Sequence, residues 1–161
     1  PPPADARMVE SWWTRRPDAS LLLATGAPAG ERRAPCALTL PAAAGRAALA
    51  EFARLGVRVG PVVGMPTRYA LLVRAYELEQ LGELLHAQDR VPSSLRFHGD
   101  GGYTVLPPTP AATGGVRWVR RPEEETVRGR AAPWLPRMES LLETLVEAST
   151  ETPDTGSRLA Y

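Results

Sequence analysis

The chain has a single cysteine, Cys36, in 161 residues, and no lysine, isoleucine or asparagine at all. One thiol excludes an internal disulfide and any zinc site built on paired cysteines within these residues. Without lysine, all 19 basic residues are arginine. Lys, Ile and Asn all use AT-rich codons, so their joint absence reads as the imprint of a GC-rich genome, and many of these arginines stand where lysine would otherwise serve. Arginine still differs physically, because its planar fork grips phosphate or carboxylate through two bonds at once. No apolar run reaches the roughly 18 residues needed to span a bilayer, and no signal-peptide pattern opens the chain. A reducing cytoplasm is the expected compartment. The start at Pro1-Pro2-Pro3, without an initiator Met, points to a fragment, a processed chain or an incompletely represented one.

Net charge is scarce too. Nineteen cations against 18 carboxylates leave +1, too little for bulk electrostatics to argue for nucleic acid. Any polyanion must therefore be met by a local cluster. The 43% apolar content is ordinary for a globular protein. The length suits one domain able to bury roughly 70% of its unfolded surface. That domain is expected over 4–148, with a polar, Thr-rich and disordered tail over 149–161.

Periodicity predicts a helix over 4–15, where Met8, Val9, Trp12 and Trp13 share one face. Leu21-Leu22-Leu23 reads as a buried strand closed by Thr25-Gly26, and 27–35 as loop. Ala37 to Leu40 is a short apolar strand. Pro41 can occupy the first turn of the next helix, whose stripe is Leu49, Phe52, Ala53 and Leu55, with Gly56 at its C′ position. Val57 to Val63 is a strand weakened by Gly60-Pro61; Tyr69 to Ala75 is a better one. Glu77 to Gln88 is a helix with Leu78, Leu81, Leu84 and Leu85 on one side. Asp100-Gly101 between Leu95–His98 and Tyr103–Leu106 predicts a hairpin. Val116 to Val119 is the last expected strand. A final helix begins at Pro136 and buries Met138, Leu141, Leu142, Leu145 and Val146. This mixture predicts an α+β domain with a partly antiparallel sheet.

Three stretches resemble the bifunctional DNA primase/polymerase (prim-pol) family in its actinobacterial-type form. They are Trp12-Trp13-Thr14-Arg15-Arg16-Pro17 through Thr25-Gly26; the helix holding Gly45, Ala48-Leu49-Ala50 and Leu55-Gly56, with Gly60-Pro61-Val62 after it; and His98-Gly99-Asp100-Gly101-Gly102-Tyr103 through Pro107-Pro108-Thr109, followed by Val116-Arg117-Trp118. Order and spacing match over about residues 9–146. The resemblance implies a two-layer fold with an RRM-like sheet packed by helices. It further implies an Asp-x-Asp pair on the strand after the Thr-Gly turn, a His on a following strand and a third Asp just before the Gly-rich turn. These would hold two divalent ions and the incoming nucleotide. The sequence departs at each position. The first strand reads Cys36-Ala37-Leu38-Thr39-Leu40-Pro41, the second Tyr69-Ala70-Leu71-Leu72-Val73, and the third Asp aligns near Arg96.

No metal ligands, cofactor or catalytic residues are therefore expected, and three readings remain. The first is a non-catalytic module with a regulatory or replication-related role that binds DNA, RNA or nucleotide through Arg32, Arg33, Arg96 and Arg117. The second is an active polymerase whose acids lie elsewhere. The third is a protein-interaction module that docks a basic partner on Glu139, Glu143 and Glu147, spaced along the polar side of the last helix. Gly99, Asp100, Gly101 and Gly102 are expected to form a structural turn in which Asp100 bonds backbone. His98 reads as a sheet histidine, His86 as a helix-end residue and Cys36 as an inert core thiol. Gly26 to Gly30 is not a P-loop, because no Gly-Lys-Ser/Thr follows.

Overall fold

The computed structural model describes residues 5–110 and 115–152. Four helices and eleven strands follow in the order α1 (Ala6–Arg15), β1 (Leu21–Thr25), β2 (Pro28–Ala29), β3 (Arg32–Arg33), β4 (Cys36–Pro41), α2 (Ala42–Leu55), β5 (Val62–Gly64), β6 (Arg68–Val73), α3 (Leu78–His86), β7 (Arg96–His98), β8 (Gly102–Leu106), β9 (Arg117–Arg120), β10 (Glu124–Val127), β11 (Arg130–Pro133) and α4 (Glu139–Glu151). The α+β class is as expected. The main sheet runs β7-β4-β6-β5-β9, and each pairing among the described strands is antiparallel, not only part of them.

Alternation along β4 and β6 sets the two faces of this sheet. Cys36, Leu38 and Leu40 lie opposite Val73, Leu71 and Tyr69 and join Ala44, Ala48 and Phe52 of α2 and Leu141, Leu142 and Leu145 of α4 in one buried core. We call this the helix face. Contact there is close, since a Cβ at Gly45 of α2 would fall 2.6–2.8 Å from the Tyr69 side chain. Only glycine lets the helix sit down on β6 at that point. Gly56 takes the left-handed conformation (φ 68°), and Val57 N–H reaches back to Phe52 O at 2.9 Å, closing α2 as expected. Pro41 sits one residue earlier than expected. It ends β4, extended at ψ 144°, and α2 starts directly after it.

Several expectations are corrected. Leu21 to Leu23 is not a buried strand, because β1 alternates and Leu22 is 54% exposed. Residues 27–35 contain a small hairpin, β2 against β3. The β10–β11 hairpin lacks the alternating apolar pattern that would have announced it. Val57–Val63 contracts to Val62–Gly64, with Gly60-Pro61 outside it. Most informative is the Gly-rich turn. Gly102 N–H bonds Gly99 O at 3.0 Å, so the chain does reverse, yet β7 and β8 do not pair. β7 joins β4 and β8 joins β1 in a second sheet, with Leu21 opposite Leu106 through to Thr25 opposite Gly102. A turn signal reports reversal, not partner, and five long-range pairs outweigh a local hairpin here. The Thr25 hydroxyl donates to Gly99 O at 2.6 Å and fixes the turn to β1. The last helix buries the predicted face and runs on to Glu151, with Ser149 buried; residues 153–161 of the expected tail lie outside the described residues.

Candidate anion site on the sheet

The second face of the sheet carries Ala37 and Thr39 of β4, Arg68, Ala70 and Leu72 of β6, and Arg96 and His98 of β7, alternating with the core positions. Register brings them together. Thr39 lies between Ala70 and Arg96, and Ala37 between Leu72 and His98. The three strands β7, β4 and β6 are neighbours in this sheet, and none of their residues is a carboxylate.

Polar groups there are interlocked. Arg68 donates to Thr39 Oγ1 at 3.1 Å and to Ser94 O at 2.6 Å. Thr39, 4% exposed, stands 3.1 Å from His98 Nε2. Since Thr39 accepts from Arg68, its own proton is available to Nε2, an arrangement suited to a neutral imidazole protonated at Nδ1. Burial first, then the Arg68 and Arg96 charges, lower the His98 pKa from its ordinary 6.5. Arg96 is exposed on an edge strand, and its guanidinium makes no hydrogen bond or ion pair among the described residues. The result at neutral pH is two guanidinium groups beside a neutral imidazole and a threonine hydroxyl.

That depressed pKa has a measurable consequence. Between the folded pKa and 6.5 the unfolded chain binds more protons, so stability is full above the ordinary value and is lost as pH falls through the window. The melting temperature should fall between about pH 7 and pH 5 more for the native chain than for a His98→Gln variant. Parallel curves for the two proteins would show that His98 is not held neutral by its surroundings.

The four arginines expected from sequence do not form one groove. Arg96 and Arg117 lie on opposite edges, β7 and β9, four spacings of about 4.8 Å or roughly 19 Å apart. They also face opposite ways. Gly64 pairs with both Tyr69 and Arg117, which puts Arg117 on the helix face, its guanidinium carbon 6.0 Å from the centre of the Tyr69 ring. Arg32 donates to Val127 O at 2.9 Å. Arg33 bonds Gly26 O at 2.9 Å, pairs with Glu77 and lies 3.9 Å from Asp100. Asp100 is therefore a turn residue facing an arginine, two positions beyond His98. The sequence reading passed over Arg68. It is the first residue of β6, ahead of the apolar run, and only its place in the strand puts it on the same side as Ala70 and Leu72.

Elsewhere, burial raises the Cys36 thiol pKa, as suits a core cysteine. Glu139, Glu143 and Glu147 are all exposed on α4, and Glu139 accepts a bond from Gln80.

Among the described residues, no group of three or more His, Cys, Asp or Glu side chains could hold a metal ion. Nor does the donor set on the second face fit a pair of divalent cations, which require anionic oxygen; Thr39 and His98 flanked by two guanidinium groups offer none. No helix is long and apolar enough to cross a membrane among the described residues. A family model for the N-terminal domain of bifunctional DNA primase/polymerase matches residues 2–138. Neither the curated proteins nor the solved structures contain a match.

Proposed function

Because the chain belongs to the bifunctional DNA primase/polymerase N-terminal family, we propose that it is a non-catalytic member, a nucleic-acid or nucleotide binding module that receives phosphate where active relatives hold metal. One observation carries this reading. On the sheet face where the resemblance calls for carboxylates, Thr39, Arg68, Arg96 and His98 stand together. Two-metal chemistry needs anionic oxygens to bring cations to the triphosphate, and this face would repel those cations. A phosphate suits it. Guanidinium forks match phosphate oxygens. The ligand class is DNA, RNA or free nucleotide, and the role regulatory or replication-related. Arg32, Arg33 and Arg68 already hold bonds within the protein, so the first phosphate contact falls to the exposed Arg96, with the charge of Arg68 behind it. We read 4–148 as one domain, completed by the last turn of α4.

The direct test is nucleotide incorporation. Primer extension and de novo primer synthesis, each with Mg²⁺ and with Mn²⁺, should yield no product above the protein-free control. Synthesis that disappears in Asp100→Ala or Asp18→Ala would overturn the proposal and identify the acids of an active enzyme.

A further inference from the structure

Helix α1 is amphipathic, yet none of its residues is buried. Met8 is 43% exposed, Val9 38% and Trp12 53%, and Leu22 beside them on β1 is 54% exposed. The helix itself is well made. Asp5 caps it by accepting from Arg7 N–H at 3.0 Å, and Arg16 N–H closes it on Trp12 O at 2.9 Å. Between α1 and the start of β1 lies an open groove of about 650 Å³, lined by Trp12, Trp13, Arg15, Arg16, Leu21 and Leu22 among others. That is within the size range of small-ligand sites. Among the described residues, no carboxylate lines it. An apolar surface of this kind on a soluble domain marks a place where something binds.

The lining selects the occupant. Two guanidinium groups with no carboxylate in the groove wall call for a ligand that brings negative charge. Two indoles call for a ligand with flat faces. A single nucleic-acid strand combines both, with bases that stack on tryptophan and phosphates that meet arginine. A duplex cannot offer its bases in this way, because both faces of each are already stacked. We infer that the α1–β1 groove is a single-strand binding platform, with base stacking on Trp12 and Trp13 and phosphate contact from Arg15 and Arg16. This rests on the reading that the module binds nucleic acid, but it names a second surface, built from different elements than the sheet face, and a preference for unpaired strands.

The test is a titration of the full chain with oligothymidylate and with a duplex of equal length, followed by tryptophan fluorescence. Single strand should quench the signal and bind more tightly than duplex. Trp12→Ala should weaken single-strand affinity by about 5- to 150-fold, and Trp12→Phe should restore most of it, since a phenyl ring also stacks. Trp12 is half-exposed, so an unchanged melting temperature in both variants confirms that folding is not the cause. If Arg96→Ala weakens binding while Trp12→Ala does not, the platform is overturned and the sheet-face reading stands. If no nucleic acid binds at low salt, both fall. Dimerisation in sedimentation that Trp12→Ala abolishes would assign the groove to a second copy and overturn the inference. Binding of polyglutamate without binding of oligothymidylate would assign it to an acidic polypeptide, with the same consequence.

Discussion

Truncating Leu142 to alanine should destabilise the protein by about 2–5 kcal/mol, the range for large-to-small changes at buried positions. Leu142 is 2% exposed within the core that α4 shares with α2 and β4. Its removal takes away transfer free energy and leaves a cavity whose walls, the sheet and α2, are held by many other contacts and cannot close on it. For a chain of this length each kcal/mol corresponds to about 2–4 °C in melting temperature, so the shift should be plain in a thermal scan. An unchanged melting temperature would mean that α4 is not docked. The measurement matters because α4 begins at Glu139, just past the residues that match the family. A large effect makes this helix an integral wall of the module's core. Polar replacements at Glu143 or Glu147, both exposed, should be nearly neutral by comparison.

How far the fold could be read in the sequence depended on whether the governing force was local. α2 and α4 were legible because long apolar stripes at helical spacing leave few alternatives, and Gly56 marked the end of α2 by a conformational need that few other residues meet. β4 and β6 were legible as short apolar runs. Strand partners were not. The Asp100-Gly101 turn looks the same whether it joins two strands of one hairpin or passes the chain from one sheet to another; the difference lies in β1, about 80 residues away. The small hairpins β2–β3 and β10–β11 escaped notice because they bury little. Their strands hold Arg32, Arg33, Glu124, Glu125 and Arg130, and charge-rich segments carry no alternating apolar pattern.

The site divides along the same line. Absence of carboxylates from Cys36 to Pro41 is a property of the sequence alone, and so is an arginine at 96. Which arginines share a surface is a property of register. Arg117 follows the Gly-rich region in sequence and seemed to belong with Arg96, but a residue's place on an edge strand and its parity decide its face. Arg68 was hidden for the opposite reason. It precedes the apolar run Tyr69 to Val73 and looks like a strand flank, whereas pairing with Pro41 brings its guanidinium across to Thr39 and Ser94. Pairing it with Thr39 and His98 requires knowing that β4 lies between β6 and β7.

Charge on that face should control nucleic-acid affinity in a way that salt and pH both report. Each phosphate neutralised releases counterions, so log K falls with log salt by about 0.7–0.9 per contact. A chain of net charge +1 can engage only a few phosphates, and three or four contacts predict a slope near −3, far shallower than that of a strongly basic DNA binder. Arg96→Ala should make the slope shallower by about 0.7–0.9 and weaken binding at low salt by about 10-fold or more, the worth of one charge-assisted hydrogen bond. Arg96→Glu should weaken it further, because repulsion replaces attraction. The loss should be similar for all sequences, since the contact is to phosphate and reads no base. Arg117→Ala should have little effect, because Arg117 lies on the helix face at the far edge of the sheet. pH supplies the independent check. His98 is kept neutral by burial and by the two arginines. A bound phosphate offsets their charge and so raises its pKa, and linkage then requires binding to tighten as pH falls through that value. His98→Gln should remove the pH dependence while keeping the salt slope. Equal losses from Arg96→Ala and Arg117→Ala, or an affinity indifferent to both, would place the ligand somewhere other than the face built by β4, β6 and β7.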